Sequence, residues 1–426
     1  MDRYHEILDL VLNTRLFIES FWKSIENKII NTGYIQIDIY FKHYSATERS
    51  KLLSNLKYKK LEVILQKSQT DEDEFINSLK KIHELLLDEE TISKITLDTA
   101  MSIISWLFYS NKQRYFAVLR KELANLVVSN KNNVAFINEK YLIRKDIDYQ
   151  IINDLSTYIN KILELSPNNH IFFRGQESLN YWIQPSISRS STLYKNEARL
   201  YQELILRCPN DFINCKSHLD YLVEMQHYGL PTRLIDITFN PLVALYFATL
   251  EKANSISGEV ILFDVSDDFF KYERSDTVSI LSCLPLFSYE EQCILLSDSY
   301  IGDKRKFNRK ENVLRLLHEI KMDKPAFSNR INPKDLRKNL IVTPVLKNNR
   351  IMKQSGAFII CGLADYTNNK EYPLETLRYR SKKGQFLFII ENKKSIQNEL
   401  KAFNIHSATL FPEIDDVAYY LKNNWL

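Results

Sequence analysis

The stretch "MQHYGLPTRLIDITFNPLVALYFATLE" (residues 225–251) sets His227, Thr232, Arg233, Asp236 and Thr238 between two apolar runs, in a 426-residue chain with only 8 Gly and 11 Pro. An imidazole, a carboxylate and a hydroxyl together can move protons and stabilise a developing charge. An arginine can clamp a phosphate or carboxylate through its forked donors. Buried polar groups are costly unless paired, so Asp236 marks either a site or a structural knot. In the structural reading, Asp236 bonds backbone amides and Arg233, and Arg233 taken alone is an ion-pair partner rather than a substrate clamp. Both readings stay open at this point.

Three further stretches bear on chemistry. In "IFFRGQ", Arg174 ends an apolar strand and Gly175 follows, a forked donor beside an open backbone that suits a phosphate or carboxylate. In "NNRIMKQSGAFII", Arg350 and Gln354 precede Gly356 and another strand. Gln354 can hydrogen-bond a sugar hydroxyl but cannot act as a base; in the plainer reading it faces solvent and Gly356 is a simple turn. The run "DKRKFNRKEN" (303–312) is either a solvated surface or a track for a nucleic-acid backbone.

The elements that must hold these residues are readable around them. "SHLDYLVEMQHYG" is a helix with Leu219, Leu222, Val223 and Met225 to bury, ending at Gly229 and barred from continuing by Pro231. "TRLIDIT" then runs extended, so Thr232, Leu234, Asp236 and Thr238 share one face. Asn240 caps the next helix, with Pro241 in its first turn. Strands are expected at 171–173, 258–265, 355–362 and 385–391, and helices at about 217–228, 241–253, 311–321 and 395–403.

Residues 1–160 read instead as helix after helix. "YHEILDLVLNTRLFIESFWKSI", "TDEDEFINSLKKIHELLLDEE" and "DTAMSIISWLFYSNKQRYFAVLRKELANLVV" carry apolar residues at three- and four-residue intervals, and Gly33 is the one glycine of this region. The expected organisation is α+β: a helical bundle over 1–160, followed by a mixed α/β domain over 161–426. The 45% hydrophobic content fits a globular protein, and a net charge of +4 confines any basic surface to a local patch. Cys208, Cys215, Cys283, Cys293 and Cys361 form no paired spacing, and His227 and Asp236 lack a tight ligand set, so no metal is expected. "MDRYHEILDL" has acids where a leader would be basic and then apolar, and no window approaches a membrane span, which points to a cytoplasmic protein with no membrane partner.

Taken together, "FFRGQ", "QHYGLPTRLIDITFNPLVALYFA", "RIMKQSGAF" and "LFPEIDDVAYYLK" resemble the FRG domain family, named for its Phe/Tyr-Arg-Gly opening, over about residues 165–426. The motif order is more distantly similar to the ADP-ribosyltransferase fold, a split β-sheet clamp around NAD. That resemblance implies NAD as a substrate held by Arg174, Gly175, Thr232 and Arg233. It places Thr238, Asp236, Gln354 and His227 in the catalytic group. The sequence departs from the pattern in having no clear Glu-x-Glu before "SGAF", so either Asp236 supplies the missing carboxylate or catalysis is lost. The implied function is a toxin or phage-defence effector that transfers ADP-ribose to a nucleic-acid or protein acceptor, or hydrolyses NAD. An antitoxin or defence-system partner would then use the 1–160 region. The alternative is a non-catalytic module that binds nucleotides or nucleic acid.

Overall fold

The computed structural model describes residues 28–29, 31–36, 134–138, 140–167, 169–250, 256–345, 348–364, 374 and 377–424. The chain divides into two compact units, Met1–Ile147 and Asp148–Leu426, whereas the composition had suggested a boundary near 160. The three helices read in the first 130 residues, and any partner surface on them, lie outside the described residues.

What is described of the first unit is not helical throughout. β1 (Tyr34–Gln36), β2 (Val134–Ile137) and β3 (Tyr141–Arg144) form an antiparallel sheet in the order β1-β3-β2. The expectation of an all-helical 1–160 is corrected here, and again by β4 (Ile147–Ile152). The reason is local. These are runs of four to six residues rich in β-branched and aromatic side chains, which pack well on a pleated surface. Asn138 turns the chain between β2 and β3 at φ 47°, a left-handed conformation that asparagine tolerates.

The second unit is built on a nine-stranded sheet. Its order is β11 (Arg380–Ser381), β12 (Gly384–Ile390), β7 (Gly258–Val265), β5 (His170–Gln176), β6 (Leu234–Thr238), β10 (Gly356–Cys361), β9 (Asn339–Thr343) and β8 (Phe270–Tyr272), with β4 paired to β12. The pairs from β12 to β9 are antiparallel, and β8 joins β9 in parallel. The strand and helix expectations of the sequence hold to within a few residues here, except that residues 251–255 are outside the description.

One junction differs from the rest. β5 and β7 are in register over all seven residues of β5, and β6 and β10 over the five residues of β6. Yet β5 and β6 share a single pair, Phe173 with Thr238. The sheet therefore opens between them past that pair.

Both faces of the sheet are covered. On one, the Pro241–Thr249 and Lys393–Ala402 helices bury Val243, Ala244, Ile396 and Leu400 against Phe173, Leu262 and Phe388. The His218–His227 and Asp276–Ser282 helices bury Leu222, Met225, Val278 and Leu281 against Leu234, Val342 and Phe358. These two helical clusters meet the sheet on either side of the β5–β6 opening. On the other face, Phe172, Ile235, Ile237, Ile261 and Ile359 pack under Ile183, Leu374 and Leu377. Among the described residues, no helix is long and apolar enough to cross a membrane.

Candidate functional site

The chain turns sharply just before β6, and the turn follows from side-chain chemistry. The His218–His227 helix is capped by Ser217, whose hydroxyl accepts from Asp220 N–H at 3.1 Å. It closes with Leu230 N–H on the Met225 carbonyl (2.9 Å) and Gly229 N–H on Gln226 (3.0 Å), with Gly229 at φ 80°. That is a left-handed terminus which glycine adopts without strain. After β6, Asn240 accepts from Leu242 N–H at 2.9 Å and Pro241 opens the next helix, as the sequence suggests.

On the helical face these elements bring together three of the four residues expected to be catalytic. His227, Asp236 and Gln354 line one pocket of about 90 Å³, joined by Gln226 and Arg350. Asp236 is exposed; Gln226 donates to its Oδ1 at 2.8 Å, and the hydroxyl of Thr232 donates in turn to the Gln226 carbonyl. His227 lies 3.7 Å from the carboxylate of Glu413. Gln354 donates its amide to the Leu410 carbonyl at 3.0 Å, and Arg350 stacks over Phe411 at 4.6 Å. A volume of this size holds a few water molecules, each occupying about 30 Å³. Pockets for drug-sized ligands run to about 300–1,000 Å³, so a dinucleotide does not fit.

Thr238, the fourth, is buried and fully engaged. Its hydroxyl donates to the Gln354 carbonyl (2.7 Å) and accepts from Asn240 N–H (2.9 Å), which ties β6 to the turn before β10. Thr232 is buried too, and its role is to orient Gln226. Neither threonine is placed to meet a cofactor directly.

Arg174 belongs to the opposite face. Because Phe173 pairs with Thr238, and successive residues of a strand point to opposite sides, Arg174 lies on the far side of the sheet from Asp236 and Thr238. Its guanidinium reaches into the opening between β5 and β6, where Nη1 donates to the Asp236 carbonyl at 2.6 Å. The carbonyl of Arg233, just before β6, is taken by Cys361 of β10, so by the alternation of strand carbonyls that of Asp236 points toward β5. The arginine thus takes the bond that a continued ladder would have made. Its Nε is buried without a partner, and among the described residues no carboxylate lies within ion-pair distance. Burial pushes its pKa below the ordinary arginine value, against the opposing pull of Asp236 and Glu259.

The remaining two expected cofactor residues serve packing. A Cβ on Gly175 would stand 1.9 Å from the Ala244 carbonyl oxygen and 2.7 Å from Ala248 N. The open backbone of Gly175 therefore admits the Pro241–Thr249 helix rather than a ligand. Arg233 is buried and pairs with Glu197, its Nε donating at 3.0 Å, and it also bonds Gln292 at 3.2 Å. The structural reading of Arg233 holds, with Glu197 rather than Asp236 as its partner.

One residue of interest escaped the sequence reading. Glu259 of β7 stands in register with Gln176, two residues from Arg174 and on the same face. It is wholly buried, and Gln176 Nε2 approaches its Oε2 at 3.4 Å. The available signal was an acid inside the apolar strand "GEVILFDV", the same anomaly that drew attention to Asp236.

Elsewhere, Lys304, Arg305 and Lys306 are exposed on a short helix capped by Asp303. Among the described residues, no group of three His, Cys, Asp or Glu side chains is arranged to hold a metal.

The sequence model of the FRG domain matches residues 169–256, from β5 through β6 and the helix behind it. This match supports the FRG family for the segment that carries Arg174, Arg233 and Asp236. No curated protein and no solved structure matches the chain.

Proposed function

We propose that the Asp148–Leu426 unit binds a nucleotide phosphate at Arg174, with NAD as the ligand, and transfers its ADP-ribose to an acceptor. The observation that carries this reading is the state of Arg174. It is a half-buried cation at an opening in the sheet, with one donor spent on a carbonyl, one without a partner and, among the described residues, no carboxylate within ion-pair distance. A desolvated charge left uncompensated is costly. A phosphate accepting from the guanidinium would offset that cost.

NAD comes from the resemblance to ADP-ribosyltransferases, and the single-pair junction between β5 and β6 suits a split-sheet clamp. In that chemistry the nicotinamide–ribose bond breaks and its electron pair leaves with nicotinamide, which becomes neutral. The ribose carbon gains oxocarbenium character until an acceptor hydroxyl, or water, attacks and gives up its proton. A carboxylate on the same face stabilises the passing positive charge. Glu259 answers that need better than Asp236, which lies across the sheet. An effector acting on nucleic acid or protein, of the toxin or defence type, follows from this reading.

The test is titration calorimetry with NAD on the wild type and on Arg174→Lys, alongside melting curves. Losing the forked contact is expected to weaken binding by about 2–5 kcal/mol, roughly 30-fold to several-thousand-fold, in a protein that still folds. Unchanged affinity in a folded Arg174→Lys protein removes Arg174 from the site. A second reading, nucleotide binding without turnover, is favoured by the position of His227, Asp236 and Gln354 in a small pocket on the other face. Release of free nicotinamide separates it from the first.

A further inference from the structure

Beyond the Arg174 opening, the second unit holds a larger cavity of about 530 Å³. It lies between the segment 188–195, the Tyr289–Asp298 helix and the chain leaving β10. Its size is that of pockets that enclose drug-sized ligands. Three tyrosines line it, Tyr194, Tyr289 and Tyr300, and the rings of Tyr194 and Tyr289 meet edge to face at 5.8 Å.

The charge of this lining is one-sided. Among the described residues that line it, Lys195 is the one ionised side chain and none is a carboxylate. The Lys195 Nζ rests 5.6 Å from the centre of the Tyr289 ring, and among the described residues no carboxylate pairs with it. Behind Tyr300 stands a second cation: the Arg337 guanidinium is 4.0 Å from the ring centre, and its Nε is buried without a partner. The floor is rigid. Gln292 donates to Glu197 at 3.0 Å and to the Phe287 carbonyl at 3.1 Å, and accepts from Arg233, so the buried ion pair fixes the base of the cavity.

We infer that this cavity binds a nucleoside monophosphate, with the base against the tyrosine rings and the phosphate toward Lys195. Aromatic walls take a flat π-system edge-on or stacked. An exposed lysine at the rim, with no ion-pair partner among the described residues, favours an anion over a neutral or basic ligand. A site with both features fits an aromatic anion, and the enclosed volume admits a mononucleotide.

Cys293 provides the readout, because it is exposed and lines the cavity. Alkylation of the full chain by iodoacetamide, followed by peptide mass spectrometry, compares Cys293 with Cys208, which lies outside it. AMP is expected to slow alkylation at Cys293 and leave Cys208 unchanged. Inorganic phosphate should protect weakly and adenosine partially. Tyr289→Leu should raise the half-protecting AMP concentration by about 5- to 150-fold, the range set by one base–aromatic stack. Lys195 is exposed, so Lys195→Ala should fold normally, weaken protection by AMP and leave that by adenosine alone. Arg174→Lys should leave AMP protection intact, which keeps this cavity distinct from the opening at Arg174. Failure of millimolar AMP to protect Cys293 overturns the inference. So does protection that survives both cavity variants, or that disappears with Arg174→Lys.

Discussion

The two faces of the β5–β6 junction handle polar groups in opposite ways. On the helical face, Thr232, Gln226 and Asp236 form a closed chain of hydrogen bonds, and Thr238 is engaged both as donor and as acceptor. Each of those residues has at least one hydrogen-bond partner inside the protein. On the other face, Arg174 is held at one donor while another is buried with nothing to bond. A satisfied network specifies a fold and is insensitive to ligand, whereas an incomplete one carries a cost that an incoming anion relieves. The residue types alone would rank Asp236, His227 and Gln354 as the reactive group. The difference in satisfaction ranks Arg174 first.

A comparison of two arginines sharpens the contrast. Arg233 is enclosed with Glu197 and Gln292, so its charge is compensated within the protein. Arg233→Ala leaves Glu197 buried and unpaired, and is expected to cost about 3–5 kcal/mol of stability. For a unit of this size that corresponds to a fall in melting temperature of roughly 5–9 °C. Arg174→Ala removes a group that is only partly compensated, and should melt close to the wild type. Differential scanning calorimetry of both variants checks the pair. Similar losses for the two would mean that Arg174 is as structural as Arg233.

The next effect in size concerns turnover. If Glu259 stabilises the developing positive charge, Glu259→Gln keeps the shape and the contact with Gln176 but loses the charge. The rate of nicotinamide release should fall about 100- to 1,000-fold, the usual effect of removing one group that stabilises transition-state charge, with little change in affinity for NAD. A Gln variant that turns over normally would take Glu259 out of the reaction and leave the face with a binding role alone.

How much of this was legible in the chain depends on the range of the interaction that decides it. The helix stop at Gly229, the Asn240 cap and the core strands are written in neighbouring residues, and they lie where local chemistry puts them. The partner of Arg233 sits 36 residues away, and its identity depends on packing. The face on which Arg174 lies depends on the Phe173–Thr238 register, and a shift of one residue would have turned it over. Sequence spacing carries no trace of that register. In the first unit the run 134–144 forms strands rather than helix, with the chain turning at Asn138 in a left-handed conformation. Gly175, expected to let a ligand approach closely, instead admits a helix.

The smallest expected effect is the one that most directly separates the two faces. Asp236→Asn removes the carboxylate that the family resemblance would make catalytic, yet asparagine retains a carbonyl oxygen for the Gln226 amide. The Arg174 bond is to the Asp236 main-chain carbonyl, which the substitution leaves in place. The loss reaching Arg174 is thus a weak through-space attraction. Affinity for NAD and the rate of nicotinamide release should both stay within about threefold of the wild type, under 1 kcal/mol. Measuring both in the same preparation decides between the faces. A fall in rate of 100-fold or more with unchanged affinity would return the catalytic carboxylate to Asp236 and require the substrate to pass through the opening between β5 and β6. A change confined to the threefold range leaves the helical-face network as scaffold, and the chemistry on the side of Arg174.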